Sequence, residues 1–203
     1  MLVTFQSNEF LLEGFSHDVK TDKCVIICHG YESNKEVPRY LKLADHFVSA
    51  NIAVLRFDFT GHGNSTGELS DFSVEKGVHD ICQAVAFATQ KGYTNIALVG
   101  LSIGAMCGLL CAAQHDLFSH IALIAPGGPN YEEFVTKVSH YKKPVFLIHG
   151  TNDRIVPLPQ SQELANNLAH VEFEMVLGAD HTFTQHTDLL VHMVCSFIEE
   201  KWK

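Results

Sequence analysis

The sequence predicts an α/β fold, a mostly parallel, doubly wound sheet with helices on both of its faces. Short apolar runs typical of buried strands alternate along the chain with longer segments whose apolar residues recur at helical spacing. Several of the apolar runs end in a glycine-containing turn that carries a polar side chain. Because right-handed crossovers connect the strands in such an alternation, we expect a mostly parallel sheet covered by helices.

The first part of the chain is predicted to contain a hairpin and two further strands. Residues 2–5 and 9–15 are short segments of strand character, consistent with an antiparallel hairpin at the edge of a larger sheet. Residues 24–29 and 52–58 are apolar runs of the kind that form buried strands. Between them, apolar residues recur at helical spacing over 40–48, which predicts the first helix.

The middle of the chain continues the alternation. Residues 74–91 have helical periodicity, and Gly92 follows as a C-cap. The apolar run 95–101 predicts a strand, and the small residues of 103–114 predict a helix directly after it. Residues 120–125 form the next predicted strand, which ends at a Pro-Gly-Gly-Pro sequence that stops any regular element.

The last part of the chain holds two strands and three helices in the prediction. Residues 129–143 leave room for at most a short amphipathic helix, with apolar residues on one face. Residues 144–150 and 173–177 are predicted strands. Helices are predicted near 160–168 and from about 188–202.

Length and charge limit the classes of function. The 203 residues contain 46% hydrophobic residues and no linker-like run, so we expect one domain over residues 1–203. The net charge of −9 and the pI of about 5.7 disfavour nucleic acid as a partner, because phosphate backbones would be repelled. No apolar run approaches the roughly 18 residues that a membrane span needs, so no span is expected. Nothing in the sequence selects an oligomeric state.

The cysteines and the N-terminus predict the compartment. Cys24 and Cys28 lie in one apolar strand, and Cys107 and Cys111 lie one turn apart on a predicted helix. The six cysteines are therefore interpreted as small buried side chains in a reducing compartment. The N-terminal residues lack the basic region of a signal peptide. These features favour a cytoplasmic protein.

The segment around Ser102 carries the first chemical signal. Residues 98–105 read Leu-Val-Gly-Leu-Ser-Ile-Gly-Ala, in which a strand pattern runs into Gly-x-Ser-x-Gly and then into a helix start. This is the form of a nucleophile elbow, a tight turn that exposes a serine hydroxyl. The pentapeptide alone is a weak signal, because it also occurs by chance.

A serine nucleophile needs an imidazole base and a carboxylate that orients the base. Asp153 follows the predicted strand 144–150 in a glycine-containing turn, and His181 follows the last predicted strand. The order is therefore Ser102, Asp153, His181. Asp180 is a second candidate for the orienting acid, but side chains of sequence neighbours usually diverge, so Asp153 is preferred.

With these residues, three motifs resemble the α/β-hydrolase superfamily, in the branch of serine-aminopeptidase-like and cinnamoyl or feruloyl esterase-like hydrolases. They are His-Gly-Tyr at 29–31, Arg-x-Asp-x-x-Gly-His-Gly-x-Ser at 56–65 and His-Gly-Thr-Asn-Asp at 149–153. The resemblance extends from about Val25 to His181 and includes the chain order of the three catalytic candidates. Each motif is weak alone, but their joint order and strand contexts identify the chain as a member of the superfamily.

The resemblance implies further roles. Backbone N–H groups of Tyr31 and Ile103 would form the oxyanion hole, because the family takes one amide from the loop after the first parallel strand and one from the residue after the nucleophile. Arg56 and Asp58 are interpreted as a structural pair that holds the loop containing Gly61. Many relatives carry an inserted cap between residues 128 and 144. The short segment here implies a minimal cap and an open, shallow acyl site.

Metal and nucleotide sites are disfavoured. The thirteen histidines show no His-Glu-x-x-His arrangement, and the cysteines show no Cys-x-x-Cys spacing. Gly61, Gly63 and Gly67 do not form the glycine pattern that precedes a helix in dinucleotide-binding loops. We therefore expect no metal and no cofactor.

These observations predict a serine hydrolase that cleaves carboxylic esters of small or medium acyl groups through an acyl-enzyme. A thioesterase and a small-peptide or amide hydrolase are alternatives, because the same catalytic groups serve all three. A non-catalytic binding protein on this scaffold is less favoured, since every triad and oxyanion position is filled. A lipase acting at interfaces is also less favoured, because no apolar lid is evident. The expected partner is a small-molecule ester or thioester.

Overall fold

The computed structural model describes residues 1–203 and contains eight strands and six α-helices. The strands are β1 (Leu2–Ser7), β2 (Phe10–His17), β3 (Lys23–Cys28), β4 (Ala53–Phe57), β5 (Asn95–Leu101), β6 (Ile121–Ile124), β7 (Val145–Gly150) and β8 (Val171–Val176). The helices are α1 (Pro38–Ser49), α2 (Val74–Gln90), α3 (Ile103–His115), α4 (Tyr131–Val138), α5 (Leu158–Asn167) and α6 (Thr187–Glu200). Two single-turn 3₁₀ helices, which the sequence patterns do not indicate, are at Leu69–Asp71 and Thr184–His186.

All eight strands form one sheet in the spatial order β1-β2-β4-β3-β5-β6-β7-β8. The six strands from β4 to β8 in this order are parallel to their neighbours. Strand β2 is antiparallel to both of its neighbours, β1 and β4, and joins the hairpin to the rest of the sheet through β4. The mostly parallel sheet and the antiparallel hairpin at its edge are therefore confirmed.

Alternation along the strands gives the sheet two apolar faces. On β3, Cys24, Ile26 and Cys28 belong to a buried cluster with α2, α3, α4 and α5. The intervening Val25 and Ile27 belong to a second buried cluster with α1 and α6. Successive side chains of a strand point to opposite faces, so strands covered on both sides become continuous apolar runs. The predicted helices on both faces are confirmed.

The strand–helix boundaries follow local chemistry. Helix α2 begins after Ser73, whose side chain accepts a hydrogen bond from Lys76 N, and it ends before Gly92. Strand β8 begins at Val171, two residues before the predicted start. Its residues alternate between partly buried and exposed because it is an edge strand, so its apolar pattern is short.

The connection between β6 and β7 contains the predicted short helix and no inserted domain. Helix α4 buries Tyr131, Phe134, Val135 and Val138, and it packs against α3 and α5. Tyr131 Oη donates a hydrogen bond to the carbonyl oxygen of Gln160 on α5 (2.9 Å). The segment is therefore part of the helical layer on one face of the sheet.

Candidate active site

Four of the predicted site residues lie just beyond the carboxyl ends of parallel strands. Tyr31 follows β3, Ser102 follows β5, Asp153 follows β7 and His181 follows β8. Ligands bind at this edge in open α/β sheets, because the loops there converge above the strand ends. The structure thus brings the candidates to one edge of the sheet, and their chemical roles stay predictions.

Ser102 lies in the turn between β5 and α3 with an unusual backbone conformation. Its φ is 55° and its ψ is −121°, in a region that non-glycine residues rarely adopt. The Ser102 amide donates to the carbonyl oxygen of Ile124 on β6 (2.8 Å). Its carbonyl oxygen accepts from the amides of Ala105 (3.0 Å) and Met106 (3.1 Å), which starts α3. These bonds hold the strained conformation that a nucleophile elbow requires.

Two glycines make this turn possible. A Cβ on Gly100 would lie 2.6 Å from Ala105 Cα, and a Cβ on Gly104 would overlap the carbonyl oxygen of His29. Real Cβ atoms do not approach this closely, so a larger residue would push the elbow away from β3. The Gly-x-Ser-x-Gly pattern therefore has a steric explanation in this fold.

The two predicted oxyanion amides flank the serine. A Cβ on Gly30 would lie 3.5 Å from Ser102 Cβ, so the loop that carries Tyr31 packs directly against the elbow. The backbone N–H groups of Tyr31 and Ile103 donate no hydrogen bond within the protein. Ile103 N is one of the first amides of α3, which by helix geometry lack a partner in their own helix. Both amides are free to bind a substrate oxygen.

His29 holds the loop that contains the Tyr31 amide. The ring donates from Nδ1 to the carbonyl oxygen of Gly30 (2.7 Å), and Nε2 accepts from the amide of Phe59 (3.1 Å). The side chain is buried, and burial lowers the pKa of His29 to about 4. His29 is therefore neutral near pH 7 and acts as a link between two loops.

Asp153 and His181 form a direct hydrogen bond. His181 Nδ1 donates to Asp153 Oδ2 over 2.7 Å, and the side chain of His181 is 12% exposed. Asp153 is fully buried, and its other oxygen, Oδ1, accepts the amides of Ile155 (2.8 Å) and Val156 (2.9 Å). The carboxylate is thus fixed by its own loop, and the ring is fixed by the carboxylate.

Asp180, the alternative acid, does not contact the His181 ring. Its Oδ1 accepts the amides of Thr182 (3.1 Å) and Thr184 (2.9 Å). Burial raises the pKa of Asp180, but the hydrogen bonds from Thr184 and Thr182 outweigh this effect and lower the pKa below its ordinary value. The geometry therefore assigns Asp180 to the turn and Asp153 to the histidine.

The structure contains no hydrogen bond between Ser102 and His181. The only hydrogen bond of the His181 ring is the one to Asp153, and Nε2 has no partner. Hydrogen bonds between catalytic groups are often long in unliganded enzymes and shorten in the substrate complex. Ser102 and His181 thus lie at one edge of the sheet without a direct hydrogen bond between them.

A second histidine contacts the same carboxylate. His149 is completely buried at the end of β7, and its Nε2 lies 3.1 Å from both Asp153 Oδ2 and the carbonyl oxygen of Val156. Its Nδ1 lies 2.7 Å from Ser161 Oγ on α5. Its His-Gly sequence marks the end of a strand, but nothing in the sequence shows that the ring faces Asp153.

A buried ion pair supports the loops on the other side of the serine. Lys35 Nζ donates to Asp58 Oδ2 (2.6 Å) and to Glu13 Oε1 (2.8 Å), and Lys35 is 2% exposed. Burial lowers the pKa of Lys35, but the hydrogen bonds to Asp58 and Glu13 outweigh it and raise the pKa above its ordinary value. Asp58 also accepts the amide of Asn64, so it holds the loop after β4.

The predicted pairing of Arg56 with Asp58 is wrong. Arg56 Nη1 donates instead to Glu36 Oε1 (2.8 Å) and to the carbonyl oxygen of Lys35 (2.9 Å). Asp58 lies just beyond the last residue of β4, where Lys35, on the loop after β3, contacts its carboxylate with both its amide and its Nζ. Asp58 keeps its role in holding the loop, with a different partner.

A cavity of about 540 Å³ lies against the serine. Its wall includes Ser102, Ile103 and the exposed side chains of Tyr31 and Ile155. No aspartate or glutamate lines it. A second cavity of about 380 Å³, between α2, α3 and α4, shares Ser73, Val74 and Pro129 with it. The space next to Ser102 is therefore mainly apolar and suits an acyl group.

The structure contains no group of three or more His, Cys, Asp or Glu side chains placed to hold a metal ion. All six cysteines are free thiols. No helix combines the length and the apolar character needed to cross a bilayer.

Comparison with known proteins supports the same fold. The chain is similar to an acyl transferase of Photobacterium leiognathi (25% identity, 61% of this chain) but spans only 38% of that protein's length. It is 24% identical to the mitochondrial palmitoyl-protein thioesterase of Bos taurus, over 87% of this chain and 73% of the thioesterase. The structure of Est1E from Butyrivibrio proteoclasticus with bound ferulic acid superimposes with a TM-score of 0.89, at 21% identity and 98% coverage of both chains.

The family assignment follows from a longer match. Residues 19–131, which are 113 of the 203 residues, match the family described as serine aminopeptidase, S33. The match includes the loop after β3 and the elbow after β5. The relatives of the chain and the solved structures of the same fold are α/β hydrolases. The chain is an α/β hydrolase and belongs to the serine aminopeptidase S33 family.

Proposed function

We propose that this enzyme hydrolyses carboxylic esters of small or medium acyl groups, with Ser102 as nucleophile, His181 as base and Asp153 as orienting acid. The observation that carries the proposal is the 2.7 Å hydrogen bond between His181 Nδ1 and Asp153 Oδ2, at the same sheet edge as Ser102. A buried carboxylate on Nδ1 fixes the tautomer in which Nε2 accepts a proton. This is the state that a general base requires.

The proposed reaction has two acyl-transfer steps. His181 Nε2 takes the hydroxyl proton as Ser102 Oγ attacks the ester carbonyl, and the resulting imidazolium is stabilised by Asp153. His181 then gives this proton to the alcohol as the tetrahedral intermediate collapses to an acyl-enzyme. Water repeats the sequence, with His181 again as the base, and releases the carboxylic acid.

The amides of Tyr31 and Ile103 would bind the oxyanion of each tetrahedral intermediate. Both are backbone donors without a partner in the protein, and both flank Ser102. Each such donor is worth about a hundredfold to a thousandfold in turnover. Their placement depends on the loop held by His29, so this loop matters for rate as well as for folding.

A thioesterase is the second candidate. The supporting observation is the similarity to a palmitoyl-protein thioesterase. An aminopeptidase is less favoured, because binding a free α-amino group calls for a carboxylate and none lines the cavity next to Ser102. Ester and thioester differ only in the leaving group.

The test is a set of initial rates on p-nitrophenyl esters from acetate to dodecanoate, with matched acyl thioesters and an aminoacyl p-nitroanilide. We expect turnover of the shorter esters and a loss of about ten-thousand-fold or more in Ser102→Ala. Ser49→Ala, an exposed serine on α1, is the matched control and should keep full activity. Faster turnover of long thioesters than of the matching esters would favour the thioesterase.

A fluorophosphonate, which labels activated serines, provides a check without a substrate. Labelling of the native protein and of Ser49→Ala, but not of Ser102→Ala, is the expected result. No labelling and no turnover on any substrate would overturn the proposed chemistry and favour a binding protein. A single domain over residues 1–203, a cytoplasmic location and the absence of a cofactor stay predictions.

A further inference from the structure

Three polar groups lie within hydrogen-bond distance of the two ring nitrogens of the buried His149. The side chain is 0% exposed, and both ring nitrogens have partners. Nε2 lies 3.1 Å from Asp153 Oδ2 and 3.1 Å from the carbonyl oxygen of Val156, while Nδ1 lies 2.7 Å from Ser161 Oγ. The ring therefore joins the end of β7, the loop after it and α5.

The partners fix the tautomer of this ring. A carboxylate oxygen and a carbonyl oxygen only accept hydrogen bonds, so Nε2 must carry a proton. Burial lowers the pKa of His149, and Asp153 and His181 are the titratable groups whose charges act on the ring. In the neutral ring Nδ1 is an acceptor, and Ser161 donates its hydroxyl proton to it.

Asp153 thus receives hydrogen bonds on both oxygens from different sources. Oδ1 accepts two amides of its own loop, whereas Oδ2 is approached by His181 at 2.7 Å and by His149 at 3.1 Å. The Nε2–H of His149 is hydrogen-bonded to the carbonyl oxygen of Val156 and also lies against Oδ2, so two imidazole N–H groups face one carboxylate oxygen. The partial positive charge of the His149 N–H therefore weakens the attraction between Oδ2 and His181.

We infer that His149 is a positioning residue for the proposed ester hydrolysis, acting through Asp153 on the base His181. Its Nε2–H fixes the direction of the carboxylate and limits how strongly Oδ2 attracts the His181 imidazolium. The expected effect on rate rests on the proposed function. The positions of the two imidazole rings around Asp153 do not.

The same ring ties the acid to the wall of the acyl cavity. The carbonyl oxygen of Val156 faces His149 Nε2, and the amide of Val156 donates to Asp153 Oδ1. Val156, with its neighbours Ile155 and Pro157, lines the cavity next to Ser102. Loss of the His149 ring should therefore mainly change the orientation of the Asp153 carboxylate and, to a smaller extent, the shape of the cavity.

The test compares two substitutions of His149. His149→Phe keeps the ring volume but removes the donor, and we expect kcat for p-nitrophenyl butyrate to fall about tenfold with KM changed less than about twofold. Because Asp153 Oδ2 is then left to His181 alone, the acid limb of the kcat/KM profile should move to higher pH by about 0.5 to 1 unit. His149→Gln, whose Nε2 can donate from a similar position, should restore most of kcat and most of the original profile.

Ser161→Ala is the matched control for a purely structural role. It removes the hydrogen bond between Ser161 on α5 and His149 Nδ1 but leaves the Nε2–H of His149 beside Asp153. We expect a lower urea midpoint without movement of the acid limb. If Ser161→Ala moves the limb as His149→Phe does, or if His149→Phe leaves the limb in place, the inference is wrong.

A spectroscopic measurement separates this inference from the proposed function. The Nδ1 proton of His181, hydrogen-bonded to a carboxylate, should give a downfield proton NMR resonance in the free enzyme, and no substrate is needed to observe it. His149→Phe should shift this resonance further downfield, and Ser161→Ala should not. An unchanged resonance in His149→Phe overturns the inference even if the ester is hydrolysed. A shifted resonance supports it even if no ester is found.

Discussion

The molecule contains two His-Gly pairs at the ends of parallel strands, one on each side of Ser102. His29 ends β3 on the side of the oxyanion amides, and His149 lies at the end of β7 on the side of the acid. Both rings are buried, and burial lowers the pKa of each. As far as the sequence shows, the two pairs are alike.

Their partners differ in kind. His29 hydrogen-bonds only to backbone, donating to Gly30 O and accepting from Phe59 N, and the nearest carboxylate, of the structural residue Asp58, lies 4.0 Å from its Nε2. His149 faces backbone at Val156 but also faces the carboxylate of Asp153. The first ring shapes a loop, whereas the second also contacts a group that the proposed chemistry uses. Substitutions on the His149 side should therefore move the pH dependence of the rate, whereas substitutions on the His29 side should lower stability and leave that pH dependence in place.

The largest effect should follow Asp153→Asn, on the His149 side. The amide can turn its NH₂ group toward His181 Nδ1, which must then accept a hydrogen bond, so the proton moves to Nε2 and His181 can no longer take a proton from Ser102. We expect kcat to fall about ten-thousand-fold, with folding retained. Initial rates on p-nitrophenyl butyrate and a urea unfolding curve measure both quantities.

Asp180→Asn is the control for this substitution. Asp180 precedes His181 but bonds only to residues of its own turn, so most of the activity should remain. Equal losses in the two variants would mean that the orienting acid has been wrongly assigned.

The second largest effect should be on the His29 side and on stability. Lys35→Met leaves the carboxylate of Asp58 buried without its cation, and breaking such a pair costs about 3–5 kcal/mol in the free energy of unfolding. The matched variant Lys42→Met breaks a solvent-exposed pair with Asp188 and should cost less than about 1 kcal/mol. Urea unfolding at pH 7 measures both, and equal costs would show that the Lys35 pair is solvated in solution.

The sequence predicted the fold and the site candidates because both leave local patterns. Alternating apolar runs revealed the strands, and the turns after β5, β7 and β8 carried Ser102, Asp153 and His181. These turns have a recognisable local composition, in which glycine permits close backbone contact and a polar residue follows it. The order of the strands in the sheet then brings the turns together.

The buried polar contacts could not be predicted in the same way. Lys35 lies among polar residues that indicate a solvated loop, yet its partners come from β2 and from the end of β4. Its burial thus depends on the antiparallel pairing of β2 with β4, which no short segment encodes. The contact of His149 with Asp153 likewise depends on a side-chain direction that is set only after the turn has folded.

Two buried histidines, His29 and His120, should also make the protein less stable in mild acid. Burial lowers the pKa of His29 to about 4, from an ordinary value of 6.5, and burial lowers that of His120 equally. Below pH 6.5 the unfolded chain binds protons that the folded chain does not, so stability falls between pH 6.5 and pH 4 and levels off below. Each ring should remove about 2 kcal/mol between pH 7 and pH 5.

Urea unfolding at these two pH values measures the loss. His29→Asn cannot titrate in this range and should show a smaller difference between pH 7 and pH 5 than the native protein. Equal stability of the native protein at both pH values would mean that the buried rings are protonated in the fold.

The smallest predicted effect is that of His29→Asn, and it gives the clearest contrast with His149→Phe. His29→Asn keeps a donor near Gly30 O but offers no acceptor where His29 Nε2 meets Phe59 N, and an unsatisfied buried amide costs about 1–2 kcal/mol. Because His29 does not touch the pair of Asp153 and His181, the acid limb of the kcat/KM profile should stay where it is in the native protein. The same limb should move in His149→Phe. If both variants move it, the effect comes from loosening the fold as a whole, and the distinction between the two sides of Ser102 fails.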